Sequence, residues 1–290
     1  MKKRVIALTT ICLAAVSALF CAGSIYKTFA AGGKKNTAAT HSKKTTTTSQ
    51  TAASSEPPID IGSLSNKKIG WGQGVRFDSQ NRPEDAVSAQ NKYGSLNADF
   101  IDLSGEKKLY LTFDEGYENG YTAKILDVLK EKNVKATFFV TGDYAKSEPE
   151  LMKRMIAEGH TVGNHTWKHY SMPEKSLETC RNEISELHNF VKQNYNYEMT
   201  VLRPPMGEFS EQTLAVTKEM GYKTMLWSFA YKDWDAKNPS DPTASLNKLN
   251  ERLHCGAIYL LHAVSPTNAE ILGSFIDHAT SNGYKFVLPD

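Results

Sequence analysis

Two histidines four residues apart, His165 and His169 in NHTWKH, open the chemical reading of this 290-residue chain. That i, i+4 spacing puts both imidazoles on one side of a helical turn, within reach of one metal ion. Alone the spacing is a weak signal, because two histidines on a solvated helix show the same pattern. A carboxylate from another element strengthens it, since two His and one Asp or Glu make a common hydrolytic metal set. The stretch LYLTFDEGYENG (109–120) offers two: apolar and β-branched residues run straight into Asp114 and Glu115. Adjacent carboxylates repel, and burying either without a partner is costly. A divalent cation would neutralise one of them. Arg203, in RPPMG, is available to hold the other.

These residues converge only if the elements carrying them end in one place. Strand-like runs lie at 108–113, 136–141, 161–164, 201–203, 224–229, 257–262 and 285–288. Amphipathic helical stretches lie between them at 121–132, 148–158, 176–195, 210–220, 245–253 and 268–281. Seven strands alternating with six helices predict one α/β domain with parallel strands, either a barrel or a doubly wound sheet. Both architectures form their sites at the carboxyl ends of the strands. Asp114 and Glu115 follow the first strand, His165 and His169 the third, and Arg203 the fourth. Asp233 and Trp234 lie past the fifth, and His262 ends the sixth. Polar groups capable of chemistry therefore terminate five of the seven strands.

The remainder of the chain reads as address and connection. A basic MKKR precedes a charge-free run of 22 residues, Val5–Tyr26. This is the pattern of an export signal, and it is also long enough to span a bilayer. Residues 1–30 are thus a signal cleaved near Ala30, or a retained anchor. Either way the rest is exported, secreted or held at the outer face of the membrane toward the cell wall. Residues 31–58, rich in Thr, Ser and Lys, hold almost no large apolar side chain and predict a disordered tether, roughly 30 Å end to end. Residues 59–105 show few periodic runs and predict an irregular N-terminal extension packed on the main domain, 106–290. Cys12 and Cys21 fall in the apolar segment, which leaves Cys180 and Cys255. This is no disulfide scaffold, and spacing alone does not say whether those two pair. A formal net charge of +2 without a basic–aromatic pattern argues against nucleic acid. Membrane contact is expected through the N-terminal segment alone. Cys180, His160 and His188 read as structural residues.

The ordered series TFDEG, HTWKH, RPPMG, DW and LLH resembles the polysaccharide deacetylase family (NodB homology, carbohydrate esterase family 4) over about residues 106–290. The resemblance implies a distorted (β/α) barrel of about seven strands. It also implies metal-assisted hydrolysis of acetyl groups on sugars, with one divalent ion, Zn first and Co, Mn or Mg as alternatives. Carried over residue by residue, it makes Asp114 the general base, Glu115 a metal ligand, and His165 and His169 the two metal histidines. Arg203 holds the base, and His262 protonates the leaving amine. The backbone N–H of Met206, after Pro204 and Pro205, stands where the family often builds its oxyanion donor. Tyr117 and Trp234 are candidates to face the sugar, with packing as the alternative for each.

Two departures from the family pattern stand out. Glu115 replaces the usual Asp, placing its carboxylate one methylene further out. The fourth motif, commonly D-x-x-D-W, reads Ala230-Tyr231-Lys232-Asp233-Trp234, so its first Asp is missing and Asp233 is the carboxylate left to compensate. With these departures the chain resembles the peptidoglycan N-acetylmuramic acid de-N-acetylases of endospore formers. Those enzymes act on muramic acid stripped of its stem peptide and lead to muramic δ-lactam in spore cortex. The implied partners are peptidoglycan glycan strands already treated by an N-acetylmuramoyl-L-alanine amidase. A general N-acetylglucosamine deacetylase is the alternative. A wall-binding module that has lost its metal is a second. A glycosidase using Asp114 and Glu115 is disfavoured, because neighbours on a strand point to opposite faces.

Overall fold

The structure, a computed structural model, describes residues 59–290. The predicted export segment and tether lie outside the described residues, as do Cys12 and Cys21. The first strands are β1 (Ile69–Gly70), β2 (Ala98–Asp99), β3 (Lys108–Glu115), β4 (Thr137–Val140), β5 (Thr161–Asn164) and β6 (Val201–Leu202). They are followed by β7 (Glu208–Phe209), β8 (Lys223–Met225), β9 (Phe229–Ala230), β10 (Ala257–His262) and β11 (Lys285–Phe286). The helices are α1 (Glu84–Tyr93), α2 (Thr122–Glu131), α3 (Gly142–Ser147), α4 (Pro149–Ala157), α5 (Leu177–Tyr195), α6 (Glu211–Glu219), α7 (Pro242–Glu251) and α8 (Pro266–Ser281). Their starts are written in side chains: Ser176 accepts from the Thr179 N–H, Ser210 and Thr213 form a reciprocal capping box, and Ser265 precedes Pro266 at the first helical position.

Among the described residues, nine strands form one sheet in the order β2-β8-β6-β5-β4-β3-β10-β9, with β11 against the start of β3. Every pair in it is parallel. A parallel sheet is covered on both faces, which is why β4 is buried along its whole length. Side-chain alternation divides the core in two. Leu109, Leu111, Phe113, Phe138 and Val140 pack toward the helices, in one cluster with Ile125, Leu126 and Tyr144. Phe139, Val201, Met225, Ile258 and Leu260 form a second cluster inside the curl of the sheet.

The predicted strand over 224–229 is two strands. β8 lies between β6 and β2, whereas β9 lies beside β10. Leu226–Ser228 connect them: the Leu226 N–H donates to the Asp99 carbonyl at 2.8 Å and the Ser228 N–H to the Ile258 carbonyl at 3.0 Å. The chain thereby crosses from one side of the sheet to the other, and the sheet curls into the distorted (β/α) barrel that the family pattern implied.

The stretch 59–105 is more ordered than its sequence suggests. It contributes β2 at the sheet edge and α1, whose buried positions are Ala86, Ala89 and Tyr93. Two of these are alanines, so the apolar stripe is too shallow to stand out in sequence. Phe100 meets Trp71 edge-to-face and Tyr93 and Phe209 at tilted angles, at centroid distances of 4.6–5.9 Å, joining this stretch to the inner core. Cys180 and Cys255 are free thiols, the former buried.

Candidate active site

Strand β3 runs two residues further than its apolar pattern suggested, through Asp114 and Glu115. Alternation then decides where each carboxylate goes. Leu111 and Phe113 face the helices, so Glu115 continues their row, while Asp114 follows Thr112 to the inner face. A cleft of about 780 Å³ opens at the carboxyl ends of the strands, lined in part by Asp114, His165, His169 and His262.

Arg203 organises this cleft from beneath. It is fully buried, and its guanidinium donates to Asp114 Oδ1 and Thr112 Oγ1, both at 2.8 Å, and to the carbonyls of Met225 and Leu226. It also lies 4.2 Å above the Phe139 ring. Burial alone would push the Asp114 carboxyl up; the charge of Arg203, with His165 and His262 contributing less, outweighs burial and holds Asp114 below the usual carboxylate range. Asp114 is therefore ionised at neutral pH, as a proton acceptor must be.

The Arg203 backbone reaches the histidine pair. Its carbonyl lies 2.7 Å from His165 Nδ1, so that nitrogen carries the hydrogen and Nε2 presents its lone pair to the cleft. His165 Nε2 stands 3.2 Å from His169 Nε2 and 3.6 Å from Asp114 Oδ2. Burial pushes His165 down to about 4 and lowers His169 as well, so both rings are neutral near pH 7. Two nitrogens bound to one ion at about 2.1 Å in tetrahedral geometry would stand about 3.4 Å apart. The pair thus fits two adjacent positions on a divalent metal.

The structure does not bring Glu115 to that pair. Its side chain is fully buried on the helix-facing side, and neither carboxylate oxygen has a hydrogen-bond partner. Burial first, then the nearby Glu118 and Asp114 charges, raise its pKa well above the ordinary value. Among the described residues no group of three His, Cys, Asp or Glu surrounds one metal position. The two adjacent carboxylates therefore escape mutual repulsion by different means: Asp114 keeps its charge against Arg203, and Glu115 keeps its proton.

His262 ends β10 in direct register with Asp114 on β3. Its Nδ1 lies 2.7 Å from Asp233 Oδ1, and its backbone N–H donates to Asp233 Oδ2 at 2.8 Å. Asn268 donates to the same Oδ2 at 2.6 Å. Burial works against a charge on His262, but its bond to Asp233 outweighs burial and raises its pKa. Asp233, the acid left in the altered fourth motif, is thus the partner of the histidine. Trp234 is half exposed at the rim, its ring 6.0 Å from that of His262. Tyr117 and Met206 are also half exposed and line the cleft, while Pro205 is buried behind it.

Thr112, Asn164 and Asn268 are supporting residues that the motif reading passed over. Thr112 sits two residues before Asp114 on the same strand face, so its role was available from alternation. Asn164 accepts from the Thr166 N–H at 2.9 Å and shapes the histidine loop. Asn268 lies on α8 and gave no signal in sequence. Backbone strain also gathers here. Among the described residues, seven that are not glycine have positive φ; four are Asn, and the others are Thr166, His169 and Met206, all in the two loops of the site. Gly142 allows the histidine loop to lie against α3, since a Cβ there would stand 2.3 Å from the Trp167 ring.

The sequence profile of the polysaccharide deacetylase family matches residues 103–225. The chain is 40% identical over 226 residues to the peptidoglycan-N-acetylmuramic acid deacetylase PdaA of Bacillus subtilis, covering 77% of this chain and 85% of that one. It is 36% identical over 184 residues to the peptidoglycan-N-acetylglucosamine deacetylase PgdA of Listeria monocytogenes, covering 63% of this chain and 38% of that one. The solved structure of B. subtilis PdaA, a family 4 carbohydrate esterase, superposes with a TM-score of 0.73 at 39% identity, covering 77% of this chain and 95% of that one. The chain belongs to the polysaccharide deacetylase family, carbohydrate esterase family 4, and is a carbohydrate de-N-acetylase.

Proposed function

We propose that this chain removes the N-acetyl group from peptide-free N-acetylmuramic acid in peptidoglycan, the step that leads to muramic δ-lactam of spore cortex. The observation that carries the substrate is the 40% identity over 77% of this chain to an N-acetylmuramic acid deacetylase, against 36% over 63% of it to an N-acetylglucosamine deacetylase. The place of action is outside the cell, with the chain secreted or anchored by its first 30 residues, after an amidase has removed the stem peptide.

The chemistry follows from the groups around the cleft. His165 and His169 would hold a divalent ion, Zn or another of its kind, and Glu115 would not. Such an ion supplies Lewis acidity at the acetyl carbonyl and lowers the pKa of water. Asp114 Oδ2 takes a proton from the attacking water, and Arg203 keeps that carboxylate ionised until it does. The Met206 N–H would donate to the developing oxyanion. His262 holds Asp233 through Nδ1, which leaves Nε2 to protonate the departing nitrogen. The freed amine then lies beside the lactyl carboxyl on O3, so ring closure, which forms the C–N bond and expels water, is intramolecular.

The test offers the protein intact glycan strands, amidase-treated strands and chitin oligomers, with mass spectrometry as readout. Acetyl release from the amidase-treated strands is expected. Equal or faster release from chitin oligomers or peptide-bearing glycan would restore a general N-acetylglucosamine deacetylase.

A further inference from the structure

Lys168 is the one lysine or arginine among the described residues lining the cleft. It sits between Trp167 and His169, at the centre of the histidine loop. Its backbone is fixed: the N–H donates to Glu183 Oε2 at 2.6 Å, and Trp167 beneath it is buried. Its side chain is not fixed. It is 44% exposed, and its ammonium lies 3.8 Å from Asp143 Oδ1, a carboxylate 74% exposed on the first turn of α3. That separation exceeds hydrogen-bond length, and an exposed pair of this kind contributes little. The ammonium therefore keeps its donors available to a better acceptor.

The muramic acid reading supplies that acceptor. Muramic acid carries a lactyl carboxylate on O3, beside the N-acetyl group on C2. When the acetyl carbon approaches Asp114 and the histidine pair, the carboxylate is confined to the walls nearest them. Arg203 cannot meet it, being fully buried with its donors already spent on Asp114, Thr112 and two carbonyls. The rim residues Met206, Tyr117 and Trp234 bring no charge, and His262 is committed to Asp233 through Nδ1 and to the departing nitrogen through Nε2. We infer that Lys168 is a specificity-determining residue that pairs with the free lactyl carboxylate of the substrate, so that the cleft reads the absence of the stem peptide as a negative charge. A peptide-bearing lactyl group is an amide and offers no such charge; N-acetylglucosamine offers a hydroxyl. The inference rests on the muramic acid reading proposed above.

The test compares the full chain with Lys168→Met and Lys168→Arg on two versions of amidase-treated glycan, one with its lactyl carboxylate free and one with it converted to the methylamide. Chitin oligomers are the third substrate, and metal content is measured in parallel. The wild type should prefer the carboxylate over the methylamide in kcat/KM. That preference should fall tenfold or more in Lys168→Met, through KM, and persist in Lys168→Arg. Added salt should weaken it in the wild type. A preference unchanged in Lys168→Met overturns the inference, as does a loss shared equally by both glycans. Wild-type protein that hydrolyses chitin oligomers but neither muramic glycan overturns the substrate reading itself, and the inference with it.

Discussion

Asp233 holds His262 at two points, through the imidazole Nδ1 at 2.7 Å and the backbone N–H at 2.8 Å. The carboxylate thus fixes where the ring stands, which tautomer it adopts and how readily it is protonated. A motif that has lost its first Asp, with Ala230 in its place, retains these functions in its second.

Removing that carboxylate should move a pH limit. His262 must be protonated to donate, so activity declines as pH rises through its pKa. Asp233 raises that pKa, and Asp233→Asn should therefore shift the alkaline limb of kcat/KM to lower pH. The loss should be about tenfold or more at pH 8 and smaller at pH 6. A uniform loss at every pH would assign Asp233 to folding alone.

Asp114→Asn should lower turnover by about 10²–10⁴-fold while the metal stays bound. Asparagine preserves the shape and the bond from Arg203 but accepts no proton from water. Metal analysis of the purified variant beside its kinetics checks this. Loss of metal with activity restored by added ion would make Asp114 a ligand instead.

Chelation should abolish hydrolysis, and His165→Ala should lower metal content measured by elemental analysis. His165 holds its lone pair toward His169 through the bond from Nδ1 to the Arg203 carbonyl, so the pair is preorganised for an ion. Full activity in a metal-stripped sample would refute metal dependence.

Glu115→Gln should leave metal content unchanged and alter stability with pH. The folded-state pKa of Glu115 is raised, so the folded protein keeps a proton that the unfolded chain releases above about pH 4.5. The wild type then loses stability as pH rises from that point until the folded pKa is passed. Glutamine carries no such proton and escapes the loss. Denaturant titrations from pH 5 to 8 should show wild type falling relative to Glu115→Gln by up to about 1.4 kcal/mol per pH unit. Parallel curves would place a charged, partnered carboxylate at 115.

Glu115 also marks where sequence reasoning loses its hold. The alternation of strands and helices along 106–290 and the convergence of Asp114, His165, His169, Arg203 and His262 follow from apolar periodicity and from what ends each strand. The fate of Glu115 turned on whether β3 stops at Phe113 or continues. Apolar character stops at Phe113, but hydrogen bonding to β4 does not, and those two extra residues send neighbouring carboxylates to opposite faces. The same limit hid β9: 224–229 is a mostly apolar run with no Gly or Pro to break it, and only tertiary packing reveals that the chain changes partners within it. Helix α1 escaped notice because alanines bury well and advertise little. Asn268 was silent because its importance lies in reaching Asp233, 35 positions away in the chain.

The left-handed backbone at Thr166 and Met206 has a consequence for selection by heat. Each costs of order 1–3 kcal/mol, borne by the rest of the barrel. Glycine would relieve that cost at either position, although at Thr166 it would also remove the buried hydroxyl that accepts from the His169 N–H, so a screen for thermal tolerance would favour it first at the half-exposed Met206. The relief would come from the loops that aim the His165–His169 pair and the Met206 N–H. Ruggedness and catalytic aim are therefore opposed at these two residues, and variants chosen for endurance alone would drift toward a sturdier barrel with a blunter site.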